Sequence, residues 1–185
     1  DVFAGLESWA TTTGRVSGAV VMSPPAAGFY TWYYYREHVD EEVVLSNARY
    51  LAEHRDRLPV NYVHLDWGWQ RDYSCGNREV GPGFPHGLAW LAARVRELGF
   101  VPGLWITAFM HDQPASMLPT ERPELFQHDA DGRPIGFGEP IRNIMDDMIP
   151  DMHTRLPGTQ YRIDPTAPQV RDYLRERYSW AREQG

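Results

Sequence analysis

Strand-forming and helix-forming patterns alternate in the first third of the chain. The aromatic run 28–32 predicts a short strand, and the apolar positions within 43–58 recur at helical spacing behind the acidic residues 40–42. The next run, 60–66, is apolar at successive positions, as in the strands of a parallel sheet covered by helices. The pattern therefore predicts strand, helix and strand, with Asp66 at the end of the second strand.

The same alternation continues in the second half with one long interruption. An amphipathic helix over 88–98 precedes a third strand at 100–106. The stretch 107–160 is too long for an inert loop, so we expect a structured insertion there. A fourth strand at 161–164 and a helix over 168–184 follow. This order predicts an α/β fold built on a parallel sheet, with the strands joined by helical crossovers.

Residues 1–27 lack this alternation. They predict a short helical piece around 6–10 and a break at 11–14, because Thr and Gly are weak helix formers. We expect this segment to be a lead-in from a region upstream of the alternating part.

Composition excludes several kinds of chemistry. All 18 basic residues are Arg, so the chain has no Lys for a Schiff base or a Walker A loop. The net charge of -7 argues against nucleic acid, whose phosphates attract basic surfaces. Cys75 is the single cysteine, which rules out an intrachain disulfide and disfavours a zinc site built on cysteines. We expect neither a cofactor nor a metal ion.

The apolar and aromatic content limits the classes of binding partner to be expected. No apolar run approaches the ~20 residues that span a bilayer, so a membrane partner is not expected. The segment has no signal-peptide pattern, and a soluble, cytoplasmic protein is favoured. Aromatic residues make up 13% of the chain, which suits a surface that stacks on sugar rings. The sequence is compatible with a monomer and with a homo-oligomer.

Polar and aromatic residues lie where the predicted strands end. Trp32 ends the first strand, Asp66 ends the second, and Trp105 ends the third, while Trp67 and Trp69 follow Asp66. Such strand ends form the sites of (β/α)8 barrels, and a carboxylate beside indoles suits the hydroxyls and apolar face of a sugar. The structural alternatives are an Asp that caps a turn and Trp residues that close the top of a barrel.

Other polar residues give weaker signals. The seven His residues are scattered and form no zinc motif. Asp146, Asp147, Asp151 and His153 form an acidic group in the insertion, which we interpret as a solvated loop face. Asp164 is interpreted as a cap for the helix that follows. A retaining glycosidase needs two carboxylates about 5 to 5.5 Å apart, and no such pair is identifiable here.

Four motifs in order resemble the catalytic barrel of family 36 glycoside hydrolases, the melibiase type of α-galactosidase. They are Gly-Phe-Tyr-Thr-Trp-Tyr at 28–33, Leu-Asp-Trp-Gly-Trp-Gln at 65–70, Phe-Pro-His-Gly-Leu at 84–88 and Gly-Leu-Trp at 103–105. The segment 164–170 resembles the part before the family's nucleophile strand. The resemblance covers 28–185 and implies about the first four β/α units of a (β/α)8 barrel, with the insertion at 107–160.

The resemblance also implies roles for single residues. Trp32 is similar to the family's galactose-platform Trp, Asp66 to the first of two Asp residues that bind the sugar 4- and 6-hydroxyls, and Trp105 to a further pocket wall. Trp67 stands in place of the second Asp, which weakens the case for galactose itself because an indole accepts no hydrogen bond from a hydroxyl. The nucleophile and the acid/base would follow Gly185, so no catalytic residue is expected within the chain.

Three functions are consistent with these residues. The first is part of a retaining α-glycosidase that acts on galactose-like sugars through a glycosyl-enzyme intermediate, with this segment inactive by itself. The second is a sugar-binding or scaffold protein that keeps the pocket of Trp32, Asp66 and Trp105 without catalysis. The third is a galactosyl transferase of the raffinose type, which passes the intermediate to an acceptor other than water. An oligosaccharide or glycoside is the expected partner.

Overall fold

The fold is described by a computed structural model that covers residues 1–20, 26–71, 76, 78–113, 117–137 and 159–185. In chain order its elements are α1 (Val2–Ser17), β1 (Gly28–Tyr30), α2 (Trp32–Tyr35), α3 (Glu41–Glu53), β2 (Tyr62–Leu65), α4 (Leu88–Glu97), β3 (Val101–Leu104), β4 (Met110–Gln113), α5 (Leu118–Glu121), a 3-10 turn (Pro123–Leu125), β5 (Gly136–Phe137), β6 (Thr159–Arg162) and α6 (Val170–Glu183). Cys75 and the acidic group of Asp146, Asp147, Asp151 and His153 lie outside the described residues.

Three parallel strands form the first sheet, in the order β1, β2, β3. Phe29 lies beside Val63, and Val63 lies beside Pro102. This register brings the carboxyl ends of all three strands to one edge. The expected α/β class with a parallel sheet is confirmed.

The main core lies between this sheet and the helices α3 and α4. Asp40 caps α3, because its Oδ1 accepts a hydrogen bond of 2.7 Å from the backbone of the first helical turn. Gly99 follows α4 with φ 80°, the left-handed conformation that commonly ends a helix. Val44, Val63 and Val95 are almost fully buried here, as the apolar spacing of both helices and the second strand predicted.

The expected fourth parallel strand belongs to a different sheet. Strand β6 pairs antiparallel with β4 on one side and with β5 on the other. The parallel sheet of the described residues therefore has three strands, which corrects the expectation of four β/α units. A run of four residues carries no signal for the direction of its partners, because the path of the intervening chain sets that direction.

Helix α6 joins the parallel and antiparallel parts. Leu125, Phe126 and Ile163 form a second core, and Tyr173 of α6 packs into it. Trp180, two turns further along α6, packs against the main core. One helix face therefore contributes to both cores.

Several element boundaries differ from their predictions. Helix α3 ends at Glu53, although the apolar spacing extends to residue 58. Helix α1 runs through residues 11–14 without a break, because Thr and Gly weaken a helix but do not exclude it. Asp1 caps its start, and Gly18, with φ 63°, ends it. None of its side chains is buried. Strand β1 ends at Tyr30, and Trp32 already begins the short helix α2. Among the described helices, none combines the length and apolar character needed to cross a bilayer.

His111 is a titratable group within the second core. It is 2% exposed, and its Nε2 shares a hydrogen bond with the hydroxyl of Tyr173. Burial, followed by the positive charges of Arg177 and Arg78, lowers the pKa of His111 to about 3. The imidazole is therefore neutral in the folded protein at neutral pH.

We expect His111 to make the protein less stable as the pH falls from 6.5 towards about 3. In this range the unfolded chain protonates His111 while the folded chain does not, so protons favour unfolding. The loss amounts to roughly 2–3 kcal/mol between about pH 7 and about pH 4.5. Urea unfolding at several pH values should give a shallower pH slope for His111→Gln than for the wild type. His128→Gln, at an exposed histidine, is the control and should keep the wild-type slope; equal slopes for all three proteins would contradict the prediction.

Candidate functional site

The residues expected in the site lie at the carboxyl ends of the three parallel strands. Trp32 follows β1, Asp66 follows β2, and Trp105 follows β3. Parallel pairing continues past the last strand residues, since Trp105 N donates to Leu65 O at 2.8 Å. The sheet thus brings three residues that are far apart in sequence to one edge.

Asp66 is held both by its own turn and by the neighbouring strand end. Its backbone N–H donates to Thr31 Oγ1 at 3.0 Å, and its Oδ1 accepts the backbone N–H of Trp67 at 2.7 Å. Its Oδ2 lies 4.0 Å from His64 Nε2, and the side chain is 18% exposed. One carboxylate oxygen therefore caps the turn, and among the described residues the other makes no hydrogen bond.

His64 is a neighbour of Asp66 that the sequence motifs do not single out. Its ring packs against Tyr30 with the centroids 4.7 Å apart, and it lies over Gly103, where a Cβ would meet the imidazole. Burial lowers the pKa of His64, while the Asp66 carboxylate acts in the opposite direction. Side chains two apart on a strand share a face, so counting back from Asp66 would have identified this residue.

The five candidate side chains differ in their solvent exposure. Trp32 and Trp105 are half-buried. Trp67 is 4% exposed and packs against Trp32 with the ring centroids 5.6 Å apart. Trp69 is completely buried, and its indole N–H donates to Trp105 O at 2.9 Å. A direct sugar contact by Trp69 is incompatible with this burial, and the residue instead supports the backbone at Trp105.

Asp164 has a local role. Its Oδ1 accepts hydrogen bonds from Thr166 N at 2.9 Å and from Thr166 Oγ1 at 2.7 Å. These bonds lower the pKa of Asp164. The carboxylate thus caps the turn before α6, whereas the N-cap position of the helix itself is Gln169. Within the described residues, no group of three His, Cys, Asp or Glu side chains is placed to hold a metal ion.

Gly68 fixes the path of the turn after Asp66. Its φ is 122°, and a Cβ there would lie 2.8 Å from the carbonyl oxygen of Glu37 and 2.9 Å from its Cα. Both contacts are with backbone, so no side-chain rotation relieves them. The turn that holds Asp66 and Trp67 therefore requires glycine at this position.

We expect Gly68→Ala to destabilise the protein by about 2–3 kcal/mol, through unfavourable φ and the backbone clash together. Gly87→Ala is the matched control, because Gly87 also has a positive φ, of 81°, but a Cβ there would meet nothing within 4 Å. It should cost only about 1 kcal/mol. Urea unfolding measures both variants, and equal losses would show that the close approach to Glu37 does not constrain the turn.

Comparison with known proteins identifies similar molecules. No family model matches the chain. It is 29% identical over 89 residues to the α-galactosidase mel1 of Schizosaccharomyces pombe, an alignment that covers 45% of this chain and 20% of that protein. Among solved structures, the α-galactosidase TtGalA from Thermus thermophilus superposes with a TM-score of 0.70 and 25% identity. The match covers 90% of this chain and 30% of that enzyme.

A second solved structure places the likeness in a named family. The GH36 α-galactosidase AgaA from Geobacillus stearothermophilus has a TM-score of 0.66 and 27% identity, covering 86% of this chain and 20% of that protein. The chain thus spans between a fifth and a third of the length of these relatives. Sequence and fold together confirm the resemblance expected from the motifs: the chain is similar to the α-galactosidases of glycoside hydrolase family 36 over most of its length.

Proposed function

We propose that the chain is part of the catalytic domain of a retaining α-galactosidase-type glycoside hydrolase, and that its part of the task is to bind the sugar. The observation that carries this proposal is the convergence of Trp32, Asp66 and Trp105 at adjacent strand ends. The Thermus enzyme was solved with p-nitrophenyl α-D-galactopyranoside and with stachyose. An α-linked galactoside or oligosaccharide is accordingly the proposed ligand here.

The proposed contacts follow from the exposure of each group. Asp66 Oδ2, which makes no hydrogen bond among the described residues, accepts a bond from a sugar hydroxyl. The exposed parts of Trp32 and Trp105 cover the apolar face of the ring. Trp67 acts through Trp32, against which it packs. These roles for the four residues are proposals that extend the geometry to a bound sugar.

The proposed architecture is a (β/α)8 barrel to which this chain contributes three parallel strands. Residues 1–27 are then the lead-in, and 107–160 form an insertion at the mouth of the barrel. The described parts of that insertion, β4, α5 and β5, support this arrangement because they follow directly from the end of β3. Helix α6 then returns the chain from the insertion to the main core.

The proposed chemistry needs two further carboxylates. A retaining enzyme holds a nucleophile and an acid/base about 5 to 5.5 Å apart. We place both outside these 185 residues, since the chain spans only 30% of the Thermus relative and 20% of the Geobacillus relative. On this proposal the segment binds sugar but does not hydrolyse it by itself.

One observation favours a second candidate, a sugar-binding protein without catalysis. Trp67 stands where the resemblance places a second Asp, and it is buried against Trp32. The site therefore has one carboxylate fewer for sugar hydroxyls. Release of nitrophenol from p-nitrophenyl α-galactoside by the complete protein distinguishes the two candidates, because a binding protein gives none.

We expect the chain to bind methyl α-galactoside saturably in titration calorimetry, and Asp66→Asn to weaken that binding by about tenfold or more. A hydrogen bond to a charged group contributes about 1.5–3 kcal/mol, and the amide removes the charge. Asp56→Asn, at an exposed carboxylate between α3 and β2 and therefore before the amino end of the strand that Asp66 follows, is the control and should bind like the wild type.

Two results would count against the proposal. Absence of saturable binding by the wild type would remove the sugar site. Nitrophenol release by the 185-residue chain alone would show that the catalytic carboxylates lie within it, contrary to their proposed position.

A further inference from the structure

Two backbone carbonyl groups after β3 are connected to helix α6, one through Trp69 and one by a direct hydrogen bond. Trp105 O accepts the indole N–H of Trp69 at 2.9 Å, and Trp69 stacks on Trp180 with the ring centroids 5.7 Å apart and an interplanar angle of 26°. Two residues further on, Thr107 O accepts a hydrogen bond from Arg177 Nη2 at 3.2 Å. The backbone on both sides of residue 106 is therefore tied to the same helix.

Arg177 and Trp180 lie on one face of α6, three residues apart. Arg177 is 1% exposed, and its guanidinium carbon lies 5.8 Å from the centroid of the Trp180 ring. The guanidinium carbon of Arg78 also lies 5.8 Å from this centroid, and Arg78 is paired with Glu176 at 2.9 Å. The indole of Trp180 is thus fixed by neighbours from two parts of the chain.

The buried guanidinium of Arg177 is poorly explained by stability alone. Its Nε has no hydrogen-bond partner among the described residues, and a buried cation with incomplete hydrogen bonding is unfavourable compared with an apolar side chain of similar size. What an apolar residue could not supply is the directed bond to Thr107 O. That bond fixes the backbone two residues after Trp105.

We propose that Arg177 and Trp180 are positioning residues that hold the Trp105 indole in place for the sugar. Trp180 acts through the stacked Trp69 and its bond to Trp105 O, and Arg177 acts through Thr107 O. The inference rests on the proposed function, because it takes Trp105 to be a wall of the sugar site. The inference gives α6 control over the orientation of the Trp105 indole, although none of the proposed sugar-binding residues lies in this helix.

Two variants remove single donors while keeping bulk. Arg177→Met retains the length of the side chain without the bond to Thr107 O, and Trp69→Phe retains an aromatic ring without the bond to Trp105 O. Each should raise the Kd for methyl α-galactoside by about two- to tenfold, the effect of one hydrogen bond. Tyr178→Ala, at a half-exposed residue of the same helix, is the control and should leave the Kd unchanged.

A second readout follows Trp105 without sugar. In protein labelled with 5-fluorotryptophan, the Trp105 signal is assigned by its absence in Trp105→Phe, and it should shift in Arg177→Met and stay in place in Tyr178→Ala. The unfolding midpoint of Arg177→Met in urea should be unchanged or higher, since an apolar residue suits that position. A purely structural Arg177 would instead lower the midpoint and leave the Trp105 signal where it is.

The two readouts separate the positioning role from the sugar site. A shifted Trp105 signal together with weaker sugar binding supports the inference. A shifted signal in a protein whose wild type binds no sugar supports positioning by α6 and overturns the proposed function. An unmoved Trp105 signal in both Arg177→Met and Trp69→Phe, or an unchanged Kd in both, overturns the inference itself.

Discussion

Parallel pairing of three short strands is the constraint on which the rest of the structure depends. Because β1, β2 and β3 run in the same direction and in register, their carboxyl ends meet at one edge. Every candidate binding residue follows one of these ends. The strands are only three or four residues long, so the burial of one face against α3 and α4 is needed to keep them aligned.

Thr31 shows how this alignment reaches the site. It is fully buried at the end of β1, its N–H donates to His64 O at 3.2 Å, and its Oγ1 accepts the N–H of Asp66. Thr31 therefore extends the pairing of β1 and β2 beyond the last strand residues. Its backbone N–H bonds to β2, and its side chain bonds to the backbone of Asp66. The position of the Asp66 carboxylate is a consequence of this bond and of the glycine turn that follows.

Helix α6 has a different role, since it contacts both halves of the fold. Tyr173 packs in the second core and Trp180 against the main core. The loop after β2 meets the same region, where Gly76 packs on the ring of His111 and Arg78 pairs with Glu176. Contacts of α6 and of the loop after β2 thus connect the antiparallel sheet to the parallel part.

The sequence by itself determined the regular part of the fold. Apolar spacing at 43–58 and 88–98 predicted α3 and α4, because a helix buried on one face repeats its apolar residues at helical spacing. The continuous apolar run at 60–66 predicted β2, as in the strands of a covered parallel sheet. The motifs around Trp32, Asp66 and Trp105 were sufficient to place these residues at strand ends. Only the tertiary structure decided that 161–164 joins an antiparallel sheet, that Trp69 is a core residue, and that Arg177 is buried. Each of these depends on contacts between segments tens of residues apart, as in the bond from Arg177 to Thr107, and such contacts leave no periodic pattern along the chain.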